Sequence, residues 1–238
     1  MVKTPVWSAI ADTLSAEISA NHYRPGDKLP TEAALAVRFG VNRHTVRHAL
    51  AALAERGLVL ARRGAGVFVT ARPTDYRLGR RVRFHQNVLA AGQTPSRLIT
   101  RSETRPADAD ETRALQLGPD QIVHVIEGIS FADGQPLAAF RSVFPAARFP
   151  DLPQAVSARG SITDALAKCG LTDYTRAETR LTAVLADPVL ALMLQVRAGA
   201  AVLRTVATNI DGAGVPIEHG TTWFAGDRIT LTLASGDL

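Results

Sequence analysis

The sequence predicts an α+β protein in two parts: a helical N-terminal third, then a largely antiparallel sheet carrying short helices. Three observations point there. Over residues 6–55 apolar residues recur at three- and four-residue spacing, whereas beyond residue 83 β-runs alternate with short capped helices. The charge divides in the same way. Residues 1–83 hold fourteen basic and six acidic side chains, a net of +8, and residues 84–238 hold thirteen and sixteen, a net of −3. A basic segment on a mildly acidic remainder implies two domains with different partners, the basic one facing a polyanion. The 238 residues, 46% of them hydrophobic, are enough for two real cores.

In residues 6–20, Val6, Trp7, Ile10, Leu14 and Ile18 mark a first helix with one apolar face. Tyr23-Arg24-Pro25-Gly26-Asp27 is turn chemistry, Pro fixing φ and Gly supplying a positive φ. A second helix opens at Leu29-Pro30-Thr31-Glu32 with Thr31 as N-cap, and Leu35 and Phe39 point inward. Gly40 ends it. Asn42 caps a third helix running to Glu55, which buries Val46, Ala49, Leu50 and Leu53 and crowds Arg43, His44, Thr45 and Arg47 onto its first turns. Gly57 is its C-cap. Leu58–Leu60 and Val67–Val69 flank the basic, glycine-containing tip Arg62-Arg63-Gly64-Ala65-Gly66 and form a hairpin. Three helices and a hairpin make a winged helix-turn-helix. A helix with a buried face and a basic N-terminal end suits a DNA major groove, and glycines at the wing tip permit close approach to a phosphate backbone.

Residues 1–72 are therefore expected as the DNA-binding domain, 73–83 as a linker without clear period, and 84–238 as the second domain. In that domain Asp108 caps a helix to Leu115, Ile122–Phe131 and Leu137–Phe144 pair across Asp133-Gly134, and Ser161–Lys168 is a helix capped by Ser161. Thr175–Val184 is a strand, and Asp187–Gln195 a helix with Pro188 at its first position. Val202–Ile210, Ile217–Phe224 and Ile229–Leu233 complete the antiparallel sheet.

No apolar run reaches the ~18 residues of a membrane span, and the N-terminus lacks a signal-peptide pattern. The single Cys169 fits a reducing cytoplasm as a small core residue. His22, His44, His48, His85, His124 and His219 show no metal spacing, and no phosphate loop or Ser-His-Asp signature occurs. His124, in an apolar strand, reads as a core residue. No cofactor, metal or catalytic residue is expected.

With these parts assembled the chain resembles the HutC branch of the GntR family of transcriptional regulators. Pro-Gly-Asp-Lys-Leu-Pro-Thr-Glu, Phe-Gly-Val-Asn-Arg-His-Thr-Val-Arg and Gly-Ala-Gly-Val-Phe-Val carry the likeness over residues 25–69. The second domain resembles the UTRA effector domain, with a chorismate-lyase-like fold, through Asp133-Gly134-Gln135-Pro136, Asp211-Gly212, Pro216-Ile217-Glu218 and Gly226-Asp227-Arg228. Asn42-Arg43-His44-Thr45, Tyr76-Arg77-Leu78-Gly79 and Arg83-Phe84-His85-Gln86-Asn87 are similar to PhnF-type regulators of phosphonate metabolism.

The resemblance implies a cytoplasmic homodimer that binds a palindromic operator in double-stranded DNA and answers to a small-molecule effector, in most such cases as a repressor. It implies DNA contacts from Thr31, Asn42, Arg43, His44, Thr45, Arg47 and the wing residues Arg63, Gly64 and Gly66, with Arg43 on a guanine edge and Thr45 and Arg47 on phosphates. Ala33 stands where other members have a basic residue. The implied effector site draws on Arg83, Phe84, Arg141, Ser161, Arg180 and Glu218. Many relatives carry arginines before the Asp-Gly turn; here Glu127-Gly128-Ile129-Ser130 stands instead, and Glu127 suits a cationic or hydroxylated ligand. A sugar phosphate, an amino acid or another small metabolite is the alternative effector, and an enzyme on the chorismate-lyase-like domain the distant alternative function.

Overall fold

The computed structural model describes residues 5–20, 22–24, 26–62, 64–70, 73–81 and 83–233. The chain divides into two compact units, Met1–Arg72 and Pro73–Leu238. Among the described residues no helix is long and apolar enough to cross a membrane.

The first unit is built from α1 (Val6–Ser19), α2 (Glu32–Phe39), α3 (Arg43–Glu55) and a hairpin of β1 (Val59–Arg62) and β2 (Gly66–Val69). The helical spacing of the sequence becomes one core: Ile10, Leu14, Leu35, Val46, Ala49, Leu50 and Leu53 meet Leu29, Val59 and Val69. Thr31 caps α2 by accepting the Ala34 N–H, and Gly40 leaves that helix at φ 65°. Gly57 closes α3 at φ 70°. The turn at residues 26–29 lies along the hairpin, with Leu29 N–H donating to Val67 O (2.8 Å) and Val69 N–H to Asp27 O (2.8 Å). Pairs of Arg38 with Glu17 and of Arg56 with Asp12 tie α2 and α3 to α1.

The second unit centres on a six-stranded antiparallel sheet in the order β4-β5-β6-β9-β8-β7. Its strands are β4 (Pro95–Pro106), β5 (Ile122–Ala132), β6 (Gln135–Pro145), β7 (Thr175–Leu185), β8 (Ala201–Ile210) and β9 (Pro216–Ala225). Asp133 and Gly134, at φ 50° and 77°, make the tight β5–β6 turn. Helices α6 (Leu152–Arg159) and α7 (Ile162–Lys168) pack on one face, where Ile126, Phe140, Phe144, Leu152, Leu166 and Ile217 form the main core. On the other face α8 (Pro188–Leu194) seals Ala139, Val202 and Ala225, and Leu115, the C-cap of α5 (Ala109–Ala114), packs with Val123, Val125 and Val143. Half-buried Cys169 packs against the main core. His124 is buried there too, its Nδ1 2.8 Å from the Thr104 hydroxyl.

Three features depart from the sequence expectation. The stretch 73–83, expected as linker, contains a strand, β3 (Thr74–Arg77), and is followed by α4 (Phe84–Ala90). Thr74 and Tyr76 are buried while Asp75 and Arg77 are exposed, but four residues are too few for alternation to stand out. Next, the segment expected to complete the antiparallel sheet, β10 (Ile229–Thr232), pairs instead in parallel with β3 in a separate two-stranded sheet. Finally, β4 and α6 were not expected. A bulge between Ile99 and Arg101 breaks the period of β4, a polar edge strand.

Candidate functional site

Asn42 organises the exposed end of α3. Its Oδ1 accepts both the Thr45 N–H (2.8 Å) and the Thr45 hydroxyl (2.9 Å). With Val46 fully buried behind it, the first turn cannot roll, and Arg43 and His44 project to solvent. Arg43 has no hydrogen bond or ion pair among the described residues. His44 stacks loosely on His48 (6.1 Å between centroids), which in turn meets Trp7 of α1 at 5.1 Å. Arg47 donates from Nε and Nη2 to the two Glu32 oxygens at 3.1 and 2.8 Å, and this bond holds the Glu32 carboxyl below the usual range. At the hairpin tip Gly64 and Gly66 adopt φ 76° and 115°. A Cβ on Gly66 would sit 2.6 Å from Lys28 Cε, so the glycine lets the Lys28 stem pass beside the wing. A free arginine, a histidine and a second arginine on one rigid helix end can read base edges and hold phosphates.

The second unit encloses a cavity of about 90 Å³. Strand alternation decides its walls. Ser130, Ala138, Phe140, Ser142, Thr222 and Phe224 share one face, because Ser130 pairs with Ala138, and Ala138 and Phe140 pair with Phe224 and Thr222. β3 contributes Tyr76, α4 contributes Phe84, and the start of α7 contributes Ile162 and Thr163. Three guanidiniums line it. Arg83 donates to Tyr174 O (2.9 Å) and lies 3.5 Å over the Tyr174 ring. Arg97 donates from Nε to Ser130 Oγ (3.2 Å) and stacks 4.5 Å over Phe140 and 5.5 Å over Phe84. Arg176 Nε donates to Asn209 Oδ1 (3.3 Å). Burial pulls the Arg97 guanidinium below its ordinary value and pushes the Tyr76 and Tyr174 phenols above theirs. Glu218 is the one carboxylate of the lining, and accepts from Asn209 Nδ2 at 2.6 Å. Among the described residues no three His, Cys, Asp or Glu are placed to hold a metal ion.

Two family models match the chain. The model for bacterial regulatory proteins of the gntR family covers residues 7–69, and that of the UTRA domain covers residues 90–230. The chain belongs to the GntR family. Along its length this GntR-family chain is 37% identical to an uncharacterised HTH-type transcriptional regulator of Rhizobium meliloti, over 96% of this chain and 94% of the other. It is 33% identical to the probable transcriptional regulator PhnF of Escherichia coli, over 95% and 94%. The crystal structure of PhnF from Mycobacterium smegmatis superposes with a TM-score of 0.68 at 25% identity, covering 94% of this chain and 98% of that one. The family consists of transcriptional regulators, not enzymes.

In this GntR-family chain the residues expected to meet DNA fall into three groups. Arg43, His44 and Arg47 are exposed on α3. Thr31, Asn42 and Thr45 hold the helix starts. Gly64 and Gly66 shape the wing, and Arg63 lies outside the described residues. Of the expected effector residues, the cavity gathers Arg83, Phe84 and Glu218, and Ser161 caps the adjacent α7, accepting from Asp164 N–H. It does not gather the other three. Glu127 and Arg141 pair with each other across β5 and β6 and, being odd-numbered, point to the opposite face, where Arg141 also binds Glu111 at 2.5 Å. Arg180 follows the bulge between Arg176 and Glu178, so it too faces away, exposed and paired with Glu178. Sequence reasoning missed Arg97, Arg176, Tyr174 and Asn209. Arg97 sits in the unexpected β4. Arg176 and Asn209 face one another at the far end of a strand pair that was expected, so register was the missing information.

Proposed function

We propose that this chain is an effector-responsive repressor that binds a palindromic operator as a homodimer in the cytoplasm. The carrying observation is the capped, basic, exposed start of α3, where Arg43 has no hydrogen bond or ion pair among the described residues. Arg43 reads a guanine edge, Arg47 and the wing hold phosphates, and two copies related by a two-fold axis match two half-sites. The cavity supplies the response. Its three guanidiniums suit a compact anion of the phosphonate or phosphate-ester class, in line with the likeness to PhnF. The bound effector favours a dimer geometry whose DNA-binding units no longer fit the half-site spacing. Fluorescence anisotropy on DNA upstream of the protein's own gene tests this. Wild type prefers that duplex to a scrambled one, Arg43→Ala loses the preference, and a phosphonate shifts the curve. Equal binding of both duplexes, unchanged by Arg43→Ala, refutes it.

A further inference from the structure

We propose that the cavity selects a small zwitterion, an anionic head held by Arg97 and Arg176 and a primary ammonium held by Glu218. This rests on the effector reading of the same cavity and narrows it. Glu218 is 9% exposed, and among the described residues no Lys, Arg or His nitrogen lies within 4.0 Å of its carboxylate. Its one hydrogen-bond donor is the neutral Asn209 amide. The guanidinium of Arg97 bonds a serine hydroxyl through Nε, lies over two aromatic rings and, among the described residues, has no carboxylate within 4.0 Å, Glu218 acting on it only through space. Asn209 stands between opposite charges, accepting from Arg176 with Oδ1 and donating to Glu218 with Nδ2, and so keeps them from neutralising each other.

Buried charges normally pair. Here a buried carboxylate and the half-buried guanidiniums of Arg97 and Arg176 border one cavity without forming an ion pair among the described residues, which leaves both signs for a ligand to meet. Arg83 shares Asp173, at 4.0 Å, with Arg81, which donates to the same carboxylate at 2.7 and 3.0 Å. Arg83, Arg97 and Arg176 against Glu218 leave positive charge in excess, which a ligand with a doubly charged anionic head and one ammonium offsets while still meeting Glu218. A hydroxyl would complete the hydrogen bonding of Glu218 but leave its charge uncompensated, so the ammonium is favoured. The small volume limits the spacer between the two groups to a short chain.

Three probes differing only at one end separate the possibilities: 2-aminoethylphosphonate, 2-hydroxyethylphosphonate and ethylphosphonate, titrated calorimetrically into the full chain. The amine binds at least tenfold tighter than the other two. In Glu218→Gln that preference disappears while the hydroxyl probe binds as before, and Glu218→Asp, which keeps the charge, retains a preference. The proposal is overturned if the three bind alike, if Glu218→Gln weakens all three equally, or if none binds. Operator binding is measured on the same samples. A wild type that shows no amine preference but binds operator sinks the zwitterion and leaves the regulator standing; a wild type with the amine preference but without operator binding does the reverse.

Discussion

Arg47 of α3 and Glu32 of α2 hold each other through two hydrogen bonds, so the second arginine of the exposed helix start is already engaged within the unit. Arg43, one turn earlier, has no such partner. On the proposed DNA-binding role, the same helix end presents one arginine ready to bind and one that must exchange a carboxylate for a phosphate.

Glu32→Gln therefore raises affinity for any duplex. It steepens the dependence of binding on salt by up to about one unit of logarithmic slope, because in the wild type the Glu32 carboxylate that Arg47 leaves for a phosphate takes up a cation and offsets one released from the DNA. Anisotropy titrations over a range of salt concentrations measure this, with Glu55→Gln as a control for the simple loss of an acid. An identical slope in both variants rules the exchange out.

Asn42→Ala removes the acceptor of two Thr45 donors and costs about 1 kcal/mol in the stability of the first unit. The loss frays the turn that carries Arg43 and His44, so specific DNA binding falls with it. Urea unfolding and anisotropy on the same variant should move together, and Asn42→Asp should restore most of both.

Glu111 predicts an acid limb for the second unit. Burial pushes its carboxyl up, but hydrogen bonds from Arg105, the Asp108 amide and Arg141 outweigh that and hold it at about 2. The folded value lies below the unfolded one of about 4.3. The pairing therefore stabilises fully above that pH and is lost as pH falls from there toward 2, a change of about 3 kcal/mol. Denaturant unfolding between pH 7 and pH 2 follows the loss. Glu111→Gln is less stable at pH 7 and flattens the acid limb.

Gly128→Ala places a Cβ 2.3 Å from the Leu98 carbonyl oxygen and 2.9 Å from the Phe140 ring. The strand must shift, at about 1–3 kcal/mol. Since Phe140 lines the cavity under Arg97, ligand affinity falls as well as the melting temperature. A variant that melts like wild type would mean that β4 gives way freely.

The first unit was legible in the sequence because its signals are local. A cap such as Asn42, a stop such as Gly40 and the spacing of Val46, Ala49, Leu50 and Leu53 each act within a few residues. The hairpin at Asp133-Gly134 was legible for the same reason. What escaped depends on partners far along the chain. β3 is a strand only because Ile229–Thr232 lies beside it. Arg97 reaches the cavity because β4 pairs Arg97 with Ser130, and Arg141 is turned away because it pairs with Glu127. A bulge at Arg176 flips everything after it, Arg180 included. In a sheet, one residue of register decides the face, and local patterns do not encode it.

The parallel pairing of Thr74 with Ile229 also sets an order of events during synthesis. The first unit, Met1–Arg72, is a compact cluster with a core of its own, so it can fold as soon as it clears the ribosome. Tyr76, a wall of the cavity, waits for β10 to be made. At roughly 5–20 residues per second that interval is on the order of ten to thirty seconds. Throughout it a nascent chain carries a finished DNA-binding head beside a chamber with one wall unsupported: one unit is complete while the other stands open.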